Sequence, residues 1–153
     1  IKILNKENIK VVSSIFFNSE LAISVGNYTM LRPTIEDTKS IKEGVKYFNG
    51  LNSLDHVQAI IIKGNKILAT ESKKGTKIML SKIKNKTEGI LIKLPKKKQD
   101  LRLDLPTIGL STLKDCKKYG LKGIVLKSKK NIFLDKAKCI SFANKNKMFI
   151  KVI

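Results

Sequence analysis

Residues 99 to 105, Gln-Asp-Leu-Arg-Leu-Asp-Leu, set carboxylate, guanidinium and carboxylate at every second position. An extended chain alternates its side chains between two faces. A strand over residues 100–105 therefore places Asp100, Arg102 and Asp104 on one side and turns Leu101, Leu103 and Leu105 to the core. A rise of roughly 3.3 Å per residue puts the two carboxylates about 6–7 Å apart, with Arg102 between them. Carboxylates at that spacing can bind Mg²⁺ directly or through water, or one can orient a hydrolytic water. An Arg stabilises both as anions and can grip a phosphate with two parallel hydrogen bonds, which Lys does not imitate. Arg102 stands out because every basic residue of the 32 except Arg32 and Arg102 is Lys. The competing reading is an edge strand with a solvated ion-pair ladder.

Gly75-Thr76 opens a stretch of helical spacing. Thr76 is expected to cap that helix, and the backbone N–H groups there could hold an anion; a plain cap is the simpler account. Pro106-Thr107-Ile108-Gly109 similarly ends an extended segment and leads into a helix. His56 is the single histidine, so a Ser-His-Asp triad or a His-rich zinc site would rest on it alone. Cys116 and Cys139 have no metal-ligand spacing and read as reduced, partly buried thiols of a cytoplasmic protein.

The elements that must position these groups follow from periodicity. Residues 9–17 read as a strand and 19–23 as a short helical turn. Residues 34–50 read as a helix capped by Thr34, with Glu36 and Asp37 at its positive end, Gly50 at its close, and a stripe of Ile41, Val45 and Phe48. Residues 57–72 predict a hairpin turning at Gly64-Asn65, and the isoleucine run before the turn predicts burial on both faces. Helices are expected over 73–85, 111–120 and 137–147, and strands over 89–94, 123–127, 131–135 and 148–153. Strands alternating with helices around one antiparallel hairpin predict a single α/β domain: a mixed sheet with helices packed on it.

The 153 residues suffice for one core, and 42% hydrophobic with 29% charged residues fit a globular protein. The formal charge of +20 would suit nucleic acid, an anionic membrane or a phosphorylated substrate. Lys-, Ile- and Asn-rich composition also follows from AT-rich coding, so the charge alone names no partner. Nucleic-acid binders favour Arg and interleaved aromatics, whereas aromatics here are 6% and Trp is absent, which ranks nucleic acid last. No apolar run approaches the ~18 residues of a membrane span, and no signal-peptide pattern opens the chain.

Four stretches in order, "LDHVQAIII" (54–62), "LATESKKGTKIML" (68–80), "GILIKL" (89–94) and "KKKQDLRLDLPTIG" (96–109), resemble the UDP-2,3-diacylglucosamine pyrophosphatases of the LpxI type. Those enzymes carry D-x-G-Q-A-V-V-V, then A-V-E-x-x-E-G-T-D-x-M, then L-x-K, then K-P-x-Q-D-x-R-x-D-L-P-T-I-G. The tail "GLKGIVLKSKKNIFLDK" is similar to G-L-x-G-I-A-V-x-A-G-x-x-L-I-L-D. The resemblance implies that residues 1–153 form the family's C-terminal catalytic domain, without the smaller N-terminal domain. It implies Mg²⁺-dependent hydrolysis of the UDP-diacyl-amino-sugar pyrophosphate to UMP and the acyl-sugar phosphate, in bacterial lipid A biosynthesis. It implies a cytoplasmic protein, with peripheral contact at the inner membrane a further expectation. By position it makes Asp100 and Asp104 the metal and water ligands and Arg102 their catalytic companion. It makes Gln99, Thr107, Gly75, Thr76, Lys93 and Glu71 substrate-binding; Lys77, a departure from the family's Asp, is expected to contact the substrate phosphate directly. The family's E-G-T-D reads Lys74-Gly75-Thr76-Lys77 here, the Gly before its Gln is Val57, and K-P-x-Q is Lys96-Lys97-Lys98-Gln99. Two carboxylates have thus become ammonium groups. Two alternatives stay open: a non-catalytic relative that binds lipid-sugar phosphates, and a basic module for polyanions.

Overall fold

A computed structural model describes residues 1–51, 56–83, 87–96 and 100–153. Short helices α1 (Lys2–Lys6) and α2 (Ser14–Phe17) and a 3-10 turn at Ser19–Leu21 precede β1 (Gly26–Asn27) and α3 (Ile35–Gly50). Then come β2 (Ala59–Lys63), β3 (Lys66–Thr70), α4 (Gly75–Ser81) and β4 (Ile90–Lys93). The chain closes with β5 (Thr107–Ile108), α5 (Leu110–Lys118), β6 (Gly123–Leu126), β7 (Ile132–Phe133), α6 (Lys136–Lys145) and β8 (Phe149–Val152).

Six strands form one mixed sheet in the order β1-β8-β6-β4-β2-β3. β4, β6 and β8 run parallel, while β2 pairs antiparallel with both β3 and β4. β5 and β7 make a separate parallel pair. The expected α/β fold is what is observed.

Both faces of the sheet are covered, which is why its central strands read as unbroken apolar runs. Ile60, Ile62, Ile90 and Ile92 pack under Ile41 and Phe48 of α3. The alternate residues Ala59, Ile61 and Leu91 face Met79 and Leu80 of α4, Leu113 and Cys116 of α5, and Cys139 and Ala143 of α6. Each fully buried isoleucine contributes about 1.5–3 kcal/mol by leaving water. Gly44 lets α3 lie close on the sheet, since a Cβ there would collide with the Ile92 side chain and crowd Ile62.

Local signals place most boundaries. Thr34 caps α3: its hydroxyl accepts the Asp37 N–H at 3.1 Å, and the Asp37 carboxylate accepts the Thr34 N–H at 3.0 Å. The hairpin turns at Gly64, whose φ of 57° suits glycine. Cys116 and Cys139 are free and fully buried.

Two strand expectations fail. Residues 9–17 contain no strand; Ser13 instead caps α2 by accepting the Ile15 N–H. Phe16 and Phe17 stay exposed there, and β-branched and aromatic residues favour a strand only when a neighbouring strand and burial reward them. Residues 101–103 form a turn, not a strand. Both the Leu103 and the Asp104 N–H donate to the Asp100 carbonyl, at 3.0 and 3.2 Å. Leu105 is buried as expected, but Leu103 is exposed.

Candidate functional site

Glu71 follows β3 at the sheet's edge and is buried. Its carboxylate accepts the backbone N–H of Gln58 at 2.7 Å and the Thr76 hydroxyl at 2.5 Å. Thr76 in turn accepts a hydrogen bond from Lys93 Nζ at 2.9 Å. One hydroxyl thus bridges an ammonium and a carboxylate. Lys93 is 9% exposed, at the end of β4. Burial lowers its pKa from the ordinary lysine value, and the nearby carboxylates Glu71 and Asp104 oppose that shift. The tight turn from β3 into α4 makes this arrangement: Gly75, at φ 85°, donates its N–H to the Ser72 carbonyl at 2.9 Å. L side chains rarely adopt that conformation.

Thr76 therefore does not cap α4. The cap position is Lys74, which gives no side-chain capping bond, and α4 has only seven residues. Thr76 is turned inwards because Glu71 and Lys93 offer it stronger, charge-assisted partners. Lys74 and Lys77 are exposed at the helix start.

The second half of the site is the turn after residue 100. Arg102 donates Nε to Asp100 Oδ1 at 2.9 Å and Nη2 to Oδ2 at 2.7 Å, and its backbone N–H also reaches Oδ1 at 3.0 Å. A short polar side chain that bonds the backbone two residues on stabilises a turn in place of a strand. The same bonds from Arg102 pull the Asp100 carboxyl down to about 2. Arg102, Asp104, Leu105 and Thr107 line a pocket of about 270 Å³ together with Ser14 and Ile132. The Thr107 hydroxyl donates to the Leu105 carbonyl at 3.1 Å, which braces the exit from the turn.

Gln58 joins the halves. Its backbone N–H is held by Glu71, and its side-chain amide donates to Asp104 Oδ2 at 3.3 Å. Lys96 approaches the same Asp104 oxygen at 3.9 Å. The fold therefore brings Glu71, Thr76, Lys93 and Asp104 together and sets Arg102 and Thr107 beside Asp104. Lys77 stands apart on the exposed side of α4, and Gln99 lies outside the described residues. Gln58 matches the family's Gln within "LDHVQAIII", a signal that could have found it, whereas buried Asn131 has no motif to signal it.

The alternating arrangement expected for Asp100, Arg102 and Asp104 does not occur, because Asp100 spends both carboxylate oxygens on Arg102. Among the described residues no three His, Cys, Asp or Glu side chains gather as a metal cluster. Mg²⁺ held with phosphates commonly takes one or two protein carboxylates, with substrate oxygens and water completing the shell, and Asp104 and Asp100 are the carboxylates at this turn.

The chain matches the family described as the LpxI C-terminal domain over residues 24–151. Among curated proteins nothing matches it.

Proposed function

The chain belongs to the LpxI C-terminal domain family, and from that premise we propose that it hydrolyses the pyrophosphate of UDP-2,3-diacylglucosamine to UMP and 2,3-diacylglucosamine 1-phosphate. The family itself places the chain in lipid A biosynthesis. The observation that carries the finer reading is convergence. Gln58, Glu71, Thr76, Lys93 and Asp104 come from four separate stretches of sequence and meet in one hydrogen-bonded group.

In this reading Lys93 and Arg102 face the phosphates and offset the charge that develops on a phosphoryl group in transfer. Thr76 and Glu71 hold the Lys93 ammonium in place before substrate arrives, so little reorganisation remains. Asp104, tethered by Gln58, orients the attacking water. Mg²⁺ would be held by Asp104, with Asp100 as the second candidate, and would supply Lewis-acid polarisation of the phosphoryl oxygens. Gly75 and Thr107 shape the walls, and Gln99 and Lys77 remain candidates for outer substrate contacts. The acylated product suggests work at the cytoplasmic surface of the inner membrane. No helix among the described residues is long and apolar enough to cross a membrane.

The test is UMP release from UDP-2,3-diacylglucosamine by the full-length gene product, with Mg²⁺ and with chelator. Mg²⁺-dependent release is expected, with Asp104→Ala slowing it by roughly 10²–10⁴-fold, the usual worth of a positioned proton-transfer group. Full activity in Asp104→Ala would overturn the site assignment. A second reading rests on Lys74 and Lys77, which put two ammonium groups where the family has carboxylates. It describes a binder of lipid-sugar phosphates without turnover. Tight product binding with no UMP release would select it.

A further inference from the structure

Asn131 is fully buried between the two sheets. Its side-chain NH₂ donates to the Lys93 carbonyl and to the Pro106 carbonyl, each at 3.2 Å. Its Oδ1 accepts the Lys127 N–H at 2.8 Å. The Pro106 carbonyl also accepts the Ile132 N–H at 3.1 Å, which starts the β5–β7 pairing. Three chain segments therefore meet on one amide: the end of β4, the loop that carries Asp104, and the loop leaving β6.

The geometry points to Asn131 as the positioning residue that sets the spacing between Lys93 and the Asp104 loop. The role it assigns in hydrolysis rests on the functional reading above. The physical reason is the fixed fork of a primary amide. Its two protons lie in one plane at a set angle, so the two carbonyls they bind cannot drift apart independently. Lys93 belongs to the large sheet and Pro106 leads into the strand pair beside it, and among the described residues no strand pairing connects those sheets. The amide is thus a polar link where backbone pairing is missing. Asp has the same size but lacks both donors, Leu lacks donor and acceptor, and Ser has one donor on a shorter arm. Lys93 feels the charges of Glu71 and Asp104. A shift of β4 against the loop changes its distance to the last of these first.

The experiment uses the full chain with Asn131→Leu. Folding is checked by circular dichroism and thermal unfolding. Two readouts follow: kcat and KM for UMP release, and the Nζ resonance of Lys93 without substrate, identified by its loss in Lys93→Arg. The expected result is a folded variant whose kcat falls by roughly 10²-fold, the cost of about 1 Å of misplacement, with little change in KM. Its Lys93 resonance moves towards that of an exposed lysine. A folded variant with unchanged kcat and an unchanged Lys93 resonance overturns the proposal. If Asn131→Leu does not fold, Asn131→Ser, which keeps one donor, is judged by the same two readouts. If the wild type releases no UMP, the functional reading fails, and the Lys93 resonance still decides whether Asn131 places that side chain.

Discussion

Arg102 is the residue whose chemistry depends most on its neighbours. It is the one basic residue besides Arg32 that is not Lys, and its planar fork meets both oxygens of Asp100. A Lys at that position has no second donor in the same plane and no fixed geometry. Arg102→Lys is therefore expected to release Asp100, whose carboxyl should return from about 2 towards the free-peptide value of about 3.9. Carboxyl-carbon NMR over a pH titration reads this directly; an Asp100 pKa that stays low in the variant would show that Arg102 is not its cause. In the wild type the pair remains ionic as pH falls, until pH drops through about 2. Asp104 differs. Its Oδ2 accepts a hydrogen bond from the Gln58 side-chain amide and is approached by Lys96.

At the scale of elements, the ion pair between Asp37 and Lys122 ties the start of α3 to the residue that leads into β6, at 2.5 Å. Asp37 is buried, which by itself raises its pKa; hydrogen bonds from Lys122 and Thr34 outweigh this, and the net shift is downwards. A lowered folded pKa adds stability that is present above the unfolded value of about 3.9 and lost as pH falls through the folded value. Asp37→Asn should therefore be less stable than wild type at neutral pH. The gap should shrink as the solution is acidified below about pH 4. Urea unfolding at a series of pH values measures both curves, and a gap independent of pH would place the effect in packing, not in charge. This element was readable in advance, since Thr34, Asp37 and the Ile41–Val45–Phe48 stripe are all local signals. The turn at 101–103 was not, because alternation of polar and apolar residues satisfies a strand pattern whether or not a partner strand exists.

Across the whole molecule, 32 basic residues oppose 12 acidic ones. A net charge of +20 disfavours compactness through self-repulsion. Raising the ionic strength from about 0.01 M to about 0.15 M shortens the screening length from ~30 Å to ~8 Å. The melting temperature should rise over that interval, as followed by circular dichroism; a flat profile would mean that the lysines are too dispersed to repel. The same titration bears on the polyanion alternative. Binding to DNA or heparin should fall steeply with salt if it is electrostatic alone, and its absence near 0.15 M salt would remove that alternative.

The sequence by itself determined the α/β class, the paired hairpin, the two-sided burial of the central strands and the Thr34 cap of α3, because each depends on residues near one another in the chain. It also held the motif that marks the family. Tertiary structure decided what those motifs do together. Lys93 reaches Thr76 because β4 is inserted beside β2, next to the turn from β3 into α4. Asp104 meets Gln58 because its strand became a turn that folds back towards β2. Asn131 acquired its place only when two sheets closed on it. Local periodicity contains no term for such encounters between distant segments; they are set by strand order and by which buried polar groups must find a partner.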